Sequence, residues 1–143
     1  MLEVFMNIKE NQEKAIELFS RAPMKKTFNM ILSYDQEDQA IFTMPFDQKF
    51  CHALGSIHGG VLSTLLDNAG WFTVQPHYET WVNTIDLQVQ LLLPTSKKYL
   101  ISKGTLVKKG KAIAFSKMEV RDASDNLVAT ATGTFAVSNK RID

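Results

Sequence analysis

SIHGGVLSTLLDNAGW, residues 56–71, holds one carboxylate, Asp67, in a run that is otherwise uncharged and mostly apolar. The stretch is far too long for a strand and reads as a helix of about four turns, opened by Gly59-Gly60 and closed by Pro76. Apolar side chains (Val61, Leu62, Leu65, Leu66, Ala69, Trp71, Phe72) fall on nearly every side, so this helix is expected to be buried rather than half-exposed.

The flanking elements follow from period and turn chemistry. Upstream, residues 10–20 have the spacing of a short amphipathic helix, with Pro23 expected to prevent its continuation. Strands are expected around Phe28–Tyr34 and Gln39–Met44, separated by the polar turn DQED, and a loop from Phe46 to Ile57 leads into the long helix. Downstream, VNTIDLQVQLLLP alternates Ile85, Leu87, Val89 and Leu91 with Asp86, Gln88 and Gln90, the pattern of a strand with one face in a core. Three more strands are expected near Lys98–Val107, Lys111–Arg121 and Leu127–Val137, joined at KKGK and DASDN. The last is rich in Ala, Thr and Gly, which suits the close approach of a helix. The order predicts an α+β fold, an antiparallel sheet wrapped around a long central helix with a short N-terminal helix. The free face and edges of such a sheet call for a partner subunit.

Composition sets the bounds. At 143 residues the chain fits a single domain, 1–143, with an N-terminal helical segment at 1–25 and a core at 26–137. Hydrophobic residues at 45% and charged ones at 22% are those of a folding, globular chain rather than a disordered one. Cys51 is the only cysteine, so no intrachain disulfide is possible. The charged start MLEVFMNIKENQEK does not fit a signal peptide and no segment is apolar enough for a membrane span, so a cytoplasmic location and no membrane partner are expected. Net charge is +1, but no acid lies between Asp86 and Glu119, where seven lysines fall. They either decorate solvent-facing edges or form a patch for a phosphate-bearing ligand. No extra basic domain for nucleic acid fits the length.

A buried, unpaired carboxylate costs several kcal/mol when ionised, or its pKa rises and it stays neutral. Asp67 therefore either pairs with a lysine or caps another segment, or it serves as acid, base or nucleophile in a cleft. The helix start at Gly59-Gly60 offers the complement, free backbone N–H groups at the positive end of the helix dipole, suited to an oxyanion. The two lie eight residues apart in the chain, so about 12 Å apart along the axis, too far to reach one carbonyl. If they cooperate, the helix start of one subunit must approach Asp67 of another.

The runs HALGSIHGGVLSTLLDNAG, VNTIDLQVQLLLP and KKGKAIAFSKMEV resemble the hotdog-fold acyl-CoA thioesterases of the phenylacetate-pathway type, over roughly residues 26–137. The resemblance implies hydrolysis of an acyl-CoA thioester with no separate cofactor and no metal. Gly59 matches the glycine whose N–H binds the thioester carbonyl, Gly60 supports the turn and His58 holds it. Asp67 matches the catalytic carboxylate, as nucleophile or as base for water, and Thr84 falls where relatives position that water. It further implies a homodimer or a tetramer of two dimers, with sites at subunit interfaces. His52 stands where many relatives have asparagine, and either orients water or the carbonyl or is a loop histidine. Asn68, Trp71 and Phe72 are candidates for binding the acyl group, the tryptophan and phenylalanine alternatively being core. Lys108, Lys109 and Lys111, clustered at one turn, are candidates for the phosphates of coenzyme A, or for the acidic surface of an acyl-carrier protein.

Other chemistries fit less well. A serine-hydrolase elbow, a metal-binding spacing and a phosphate loop are all missing from the sequence, and Cys51 beside His52 lacks an orienting third group. A hydratase or dehydratase acting on 3-hydroxyacyl thioesters, and a non-catalytic acyl-CoA-binding domain, remain as alternatives.

Overall fold

The structure, a computed structural model, describes residues 7–142. The decisive stretch forms helix α3, Gly59–Val74, preceded by α1 (Ile8–Ser20) and α2 (Pro23–Phe28). Strands β1 (Ile31–Tyr34) and β2 (Ala40–Met44) come before α3, and β3 (Thr80–Leu91), β4 (Leu100–Lys109), β5 (Ile113–Asp122) and β6 (Leu127–Arg141) come after it. They make one antiparallel sheet in the order β1-β2-β4-β5-β6-β3, curled around α3. This is the arrangement expected from the element order. Among the described residues no helix is long and apolar enough to cross a membrane.

Helix α3 starts where His58 accepts the Gly60 N–H on its Nδ1 at 2.8 Å. Without that acceptor one of the orphan amides of the first turn would stay unpaired. From Leu65 onward most of its residues are buried, because the sheet surrounds it. Close approach depends on small residues on the sheet's inner face, and Gly104 on β4 is the tightest point. A Cβ there would lie 2.2 Å from the Ala69 carbonyl oxygen.

Polar ties then fix the helix. Ser102 donates to the Leu65 carbonyl (2.9 Å), Thr73 to that of Ala69 (2.8 Å) and Tyr34 to that of Phe72 (2.7 Å). Thr73 Oγ1 also accepts from the Ala40 N–H at 3.0 Å, tying α3 to β2. Past its end, the Gln75 amide bonds the Thr80 carbonyl and the Val82 N–H, both at 2.9 Å, and seats the start of β3. Helix α1 docks on the flank through Phe19, whose ring meets Phe42 and Phe72 edge-on at 5.0 and 5.4 Å.

Two expectations need correction. Pro23 does not merely end α1. It opens α2, since proline's fixed φ and missing N–H suit a first helical turn, and the first strand begins at Ile31 instead of Phe28. In β3, Ile85 does not face the core: it is 56% exposed, at a bulge where the register with β6 shifts between Thr84 and Asp86. Thr84 turns inward in its place, while Leu87 and Val89 are half-buried and Leu91 lies exposed over the start of α3. The second edge of β3 has no neighbour among the described residues.

Candidate active site

Asp67 sits two turns into α3 on the side that faces β3. Thr84 Oγ1 donates to its Oδ1 at 2.8 Å, the inward turn at the bulge having brought the hydroxyl to the helix. Burial pushes the Asp67 carboxyl above the usual carboxylate range, and the Thr84 hydrogen bond pulls part of the way back. The lysine partner or capping role that would make this acid purely structural is not found among the described residues.

The pair opens on a cleft of about 490 Å³. Its floor is Trp71, Phe72 and Val82, which are buried in the core as well as lining the cleft. Trp81 packs against Trp71 at 4.7 Å and forms the rim with Asn68 and Asn83. Trp71 spends its indole N–H on the Val82 carbonyl (2.8 Å) and Trp81 spends its own on Asn83 Oδ1 (3.1 Å). The Asn68 amide has soft partners only, the sulfurs of Met30 at 3.4 Å and Met24 at 3.9 Å.

Opposite stands a wall that the sequence reading did not foresee: Leu18, Phe19, Arg21, Ala22 and Met24, from the end of α1 and the start of α2. The signal lies in the amphipathic pattern of α1, whose apolar face borders the cleft as well as packing on the sheet. A larger, polar hollow of about 610 Å³ lies over the outer sheet face among Gln88, Gln90, Lys103 and Lys117. It mixes amides and opposed charges without a buried acid, and the chemistry favours the smaller cleft.

The other predicted residues lie elsewhere in the chain. The Gly59 N–H donates to no group among the described residues, and Leu91 Cδ1 occupies the space a Gly59 Cβ would need, 2.6 Å away. Gly60 gives its N–H to His58. His52 is exposed on the preceding loop, its Nδ1 accepting the Leu54 N–H at 3.1 Å. Lys108, Lys109 and Lys111 flank the β4–β5 turn and line no part of the cleft. There the Lys109 ammonium lies 5.4 Å over the Tyr78 ring, and Tyr78 donates to the Gly110 carbonyl at 2.6 Å. That turn is beside the C-terminal end of α3, the end away from Gly59. Among the described residues no three His, Cys, Asp or Glu side chains gather as a metal site. One chain thus brings Asp67, Thr84, Asn68, Trp71 and Phe72 together, and keeps Gly59, His52 and the lysines apart from them.

A family model for the Thioesterase superfamily matches residues 54–129, from the loop before α3 through β6's start. The chain belongs to the thioesterase superfamily. Superfamily membership supports thioester hydrolysis as the general activity. A "putative esterase" of Saccharolobus solfataricus is 24% identical over 136 residues, covering 93% of this chain and 97% of that protein. The PaaI protein of the Escherichia coli phenylacetic acid degradation operon superposes with a TM-score of 0.87 at 17% identity, over 95% of this chain and 99% of the other. A thioesterase of Haemophilus influenzae does so with a TM-score of 0.81 at 22% identity, over 90% of each chain. At these identities the two structures establish the hotdog fold of this superfamily member.

Proposed function

We propose that this thioesterase-superfamily protein hydrolyses acyl-CoA thioesters as a homodimer, with each site built from Asp67 of one subunit and the start of α3 of the other. The observation that carries the reading is a half-site on each side: an acid with a raised pKa in an apolar cleft, and a free glycine amide, on one helix but about 12 Å apart. The free edge of β3 supplies a way to join them. Thr84 stands against Asp67 and Leu91 against Gly59. A second copy added antiparallel across that edge, with Gln88 opposite the partner's Gln88 and the bulge taking up Ile85, sets Thr84 beside the partner's Leu91. The partner's Gly59 amide then approaches Asp67, and exposed Ile85 is covered.

In the composite site the partner's Gly59 N–H, with the helix dipole behind it, binds the thioester carbonyl oxygen as charge develops there. Asp67 takes a proton from water positioned by Thr84. The water oxygen bonds to the carbonyl carbon, the C–S bond breaks, and the thiolate of coenzyme A recovers the proton. In the other route Asp67 attacks directly and water opens the resulting anhydride. His58 keeps the turn in place through Gly60, His52 borders it, and the acyl group lies along Asn68, Trp71 and Phe72. Lys108, Lys109 and Lys111 serve the phosphates of coenzyme A, or an acyl-carrier protein.

The test is free-thiol release from short, long and aryl acyl-CoAs by wild type and Asp67→Asn. Turnover that falls by orders of magnitude in the variant supports the reading. Full turnover in Asp67→Asn removes the acid from the mechanism, and acyl-CoA binding without turnover in wild type favours a binding domain.

A further inference from the structure

One charge in the cleft has no role in this chemistry. Arginine occupies three positions in the chain, 21, 121 and 141. Arg121 is engaged, by Glu119 at 3.1 Å and Asp125 at 3.7 Å. Arg21 lines the cleft and makes no ion pair among the described residues. Asp67, the one carboxylate in the lining, is not its partner: a guanidinium nearby would push that carboxyl down, whereas burial pushes it up and only Thr84 opposes. The two charges therefore stand at separate places in one cleft.

The rest of the lining offers little to a polar ligand. Both indole N–H groups are spent inside the protein. What remains is the Asn68 and Asn83 amides and the five N–H donors of Arg21. Arg21 is also well placed to act. As C-cap of α1 its backbone N–H donates to the Leu18 carbonyl and that of the next residue, Ala22, to the Phe19 carbonyl, so the backbone is fixed while the Arg21 side chain is exposed. A guanidinium presents a planar fork that matches a carboxylate better than any lysine would.

We propose that the cleft selects acyl groups that end in a carboxylate, with Arg21 as the specificity-determining residue that binds this distal charge. The class of substrate is the ω-carboxyacyl thioester of a dicarboxylic acid, its methylene chain lying along Trp71, Phe72 and Leu18. The inference rests on the hydrolase reading for its substrate end, where the thioester meets Asp67.

Matched thioesters of equal length test it: adipyl-CoA against hexanoyl-CoA, with wild type, Arg21→Gln and Arg21→Lys. Arg21→Gln should lower kcat/KM for adipyl-CoA about fivefold or more, through KM, and leave hexanoyl-CoA within about twofold, with Arg21→Lys in between. An equal loss on both substrates would assign Arg21 to the phosphates of coenzyme A, and no loss on either would leave its charge idle. Each result overturns the proposal. A binding measurement separates this from failure of the hydrolase reading. Emission from Trp71 and Trp81 should respond saturably to the monomethyl ester of adipic acid, more weakly in Arg21→Gln, and less to methyl hexanoate. If no thioester is hydrolysed the catalytic reading falls while this titration still decides the role of Arg21. Equal responses to the two esters refute it.

Discussion

Gly104→Ala should be among the most damaging single-methyl additions this fold can receive. The added Cβ would lie 2.2 Å from the Ala69 oxygen, 2.7 Å from its carbonyl carbon and 2.4 Å from Thr73 Oγ1. Carbon and oxygen rest at about 3.3 Å, so β4 and α3 must part by about 1 Å, and two of the three atoms belong to helix backbone that cannot rotate away. Overpacking of this kind costs about 1–3 kcal/mol. The same displacement stretches the Ser102–Leu65 and Ala40–Thr73 hydrogen bonds, now 2.9 and 3.0 Å, beyond useful length. At about 1 kcal/mol for the two together after partial relaxation, the total is about 3 kcal/mol. For a domain of this size that is a drop in Tm of roughly 6–12 °C. Thermal unfolding followed by circular dichroism at one fixed protein concentration measures it. Gly59→Ala is the control, since its Cβ meets only the flexible end of Leu91 and should change Tm little. A Gly104→Ala melting point within about 2 °C of wild type would refute the argument that this contact sets the helix–sheet distance.

The remaining predictions concern the site. Burial raises the folded pKa of Asp67 above the unfolded value, so stability falls as pH climbs through that interval and the full penalty applies above it. Asp67→Asn should therefore melt higher than wild type at neutral pH, with the gap closing below about pH 4; a lower melting point at pH 7 would contradict the sign. Thr84→Val removes the bond that holds the Asp67 pKa down, so the acidic limb of kcat/KM should move to higher pH. An unmoved limb would mean that the hydroxyl does not bear on the ionisation. His58→Ala leaves the Gly60 N–H without its acceptor and should cost about 1 kcal/mol in urea unfolding, most of it recovered by His58→Asn. Asp67→Asn and Gly59→Val chains, each inactive alone, should regain about a quarter of wild-type activity when unfolded and refolded together. Half the dimers are then mixed, each with one intact site, and a site contained in one chain would give no recovery.

The long apolar run made α3 legible, because no other element accommodates sixteen such residues, and an acid inside it drew attention to Asp67 before any neighbour was known. Thr84 came from the family resemblance alone, since the alternating pattern of the following strand would have turned it away from the core. What escaped were features in which a residue obeys one rule while serving another. Pro23 is a helix breaker by reputation and a helix opener by position. Ile85 fits an alternating pattern, yet the bulge turns it outward, and nothing in the identity of an isoleucine announces that. The cleft wall from α1 and α2 stayed hidden because a face that packs against Phe42 and Phe72 can border a cleft with the same side chains. The lysines cluster in sequence at the β4–β5 turn, and only the fold shows that this turn lies beside Tyr78.

The bulge at Ile85 has a reach beyond its own residue. Thr84 and Leu91 are an odd number of positions apart, so in a regular strand they would point to opposite sides of the sheet. Both face α3 here, one at Asp67 and one at Gly59. The extra residue acts as a parity switch, letting a single strand address both ends of the same helix. Deleting Ile85 would leave the two six positions apart, and the regular strand that results would keep both on the α3 side; a strand that kept Ile85 and lost the bulge would turn one of them away from the helix.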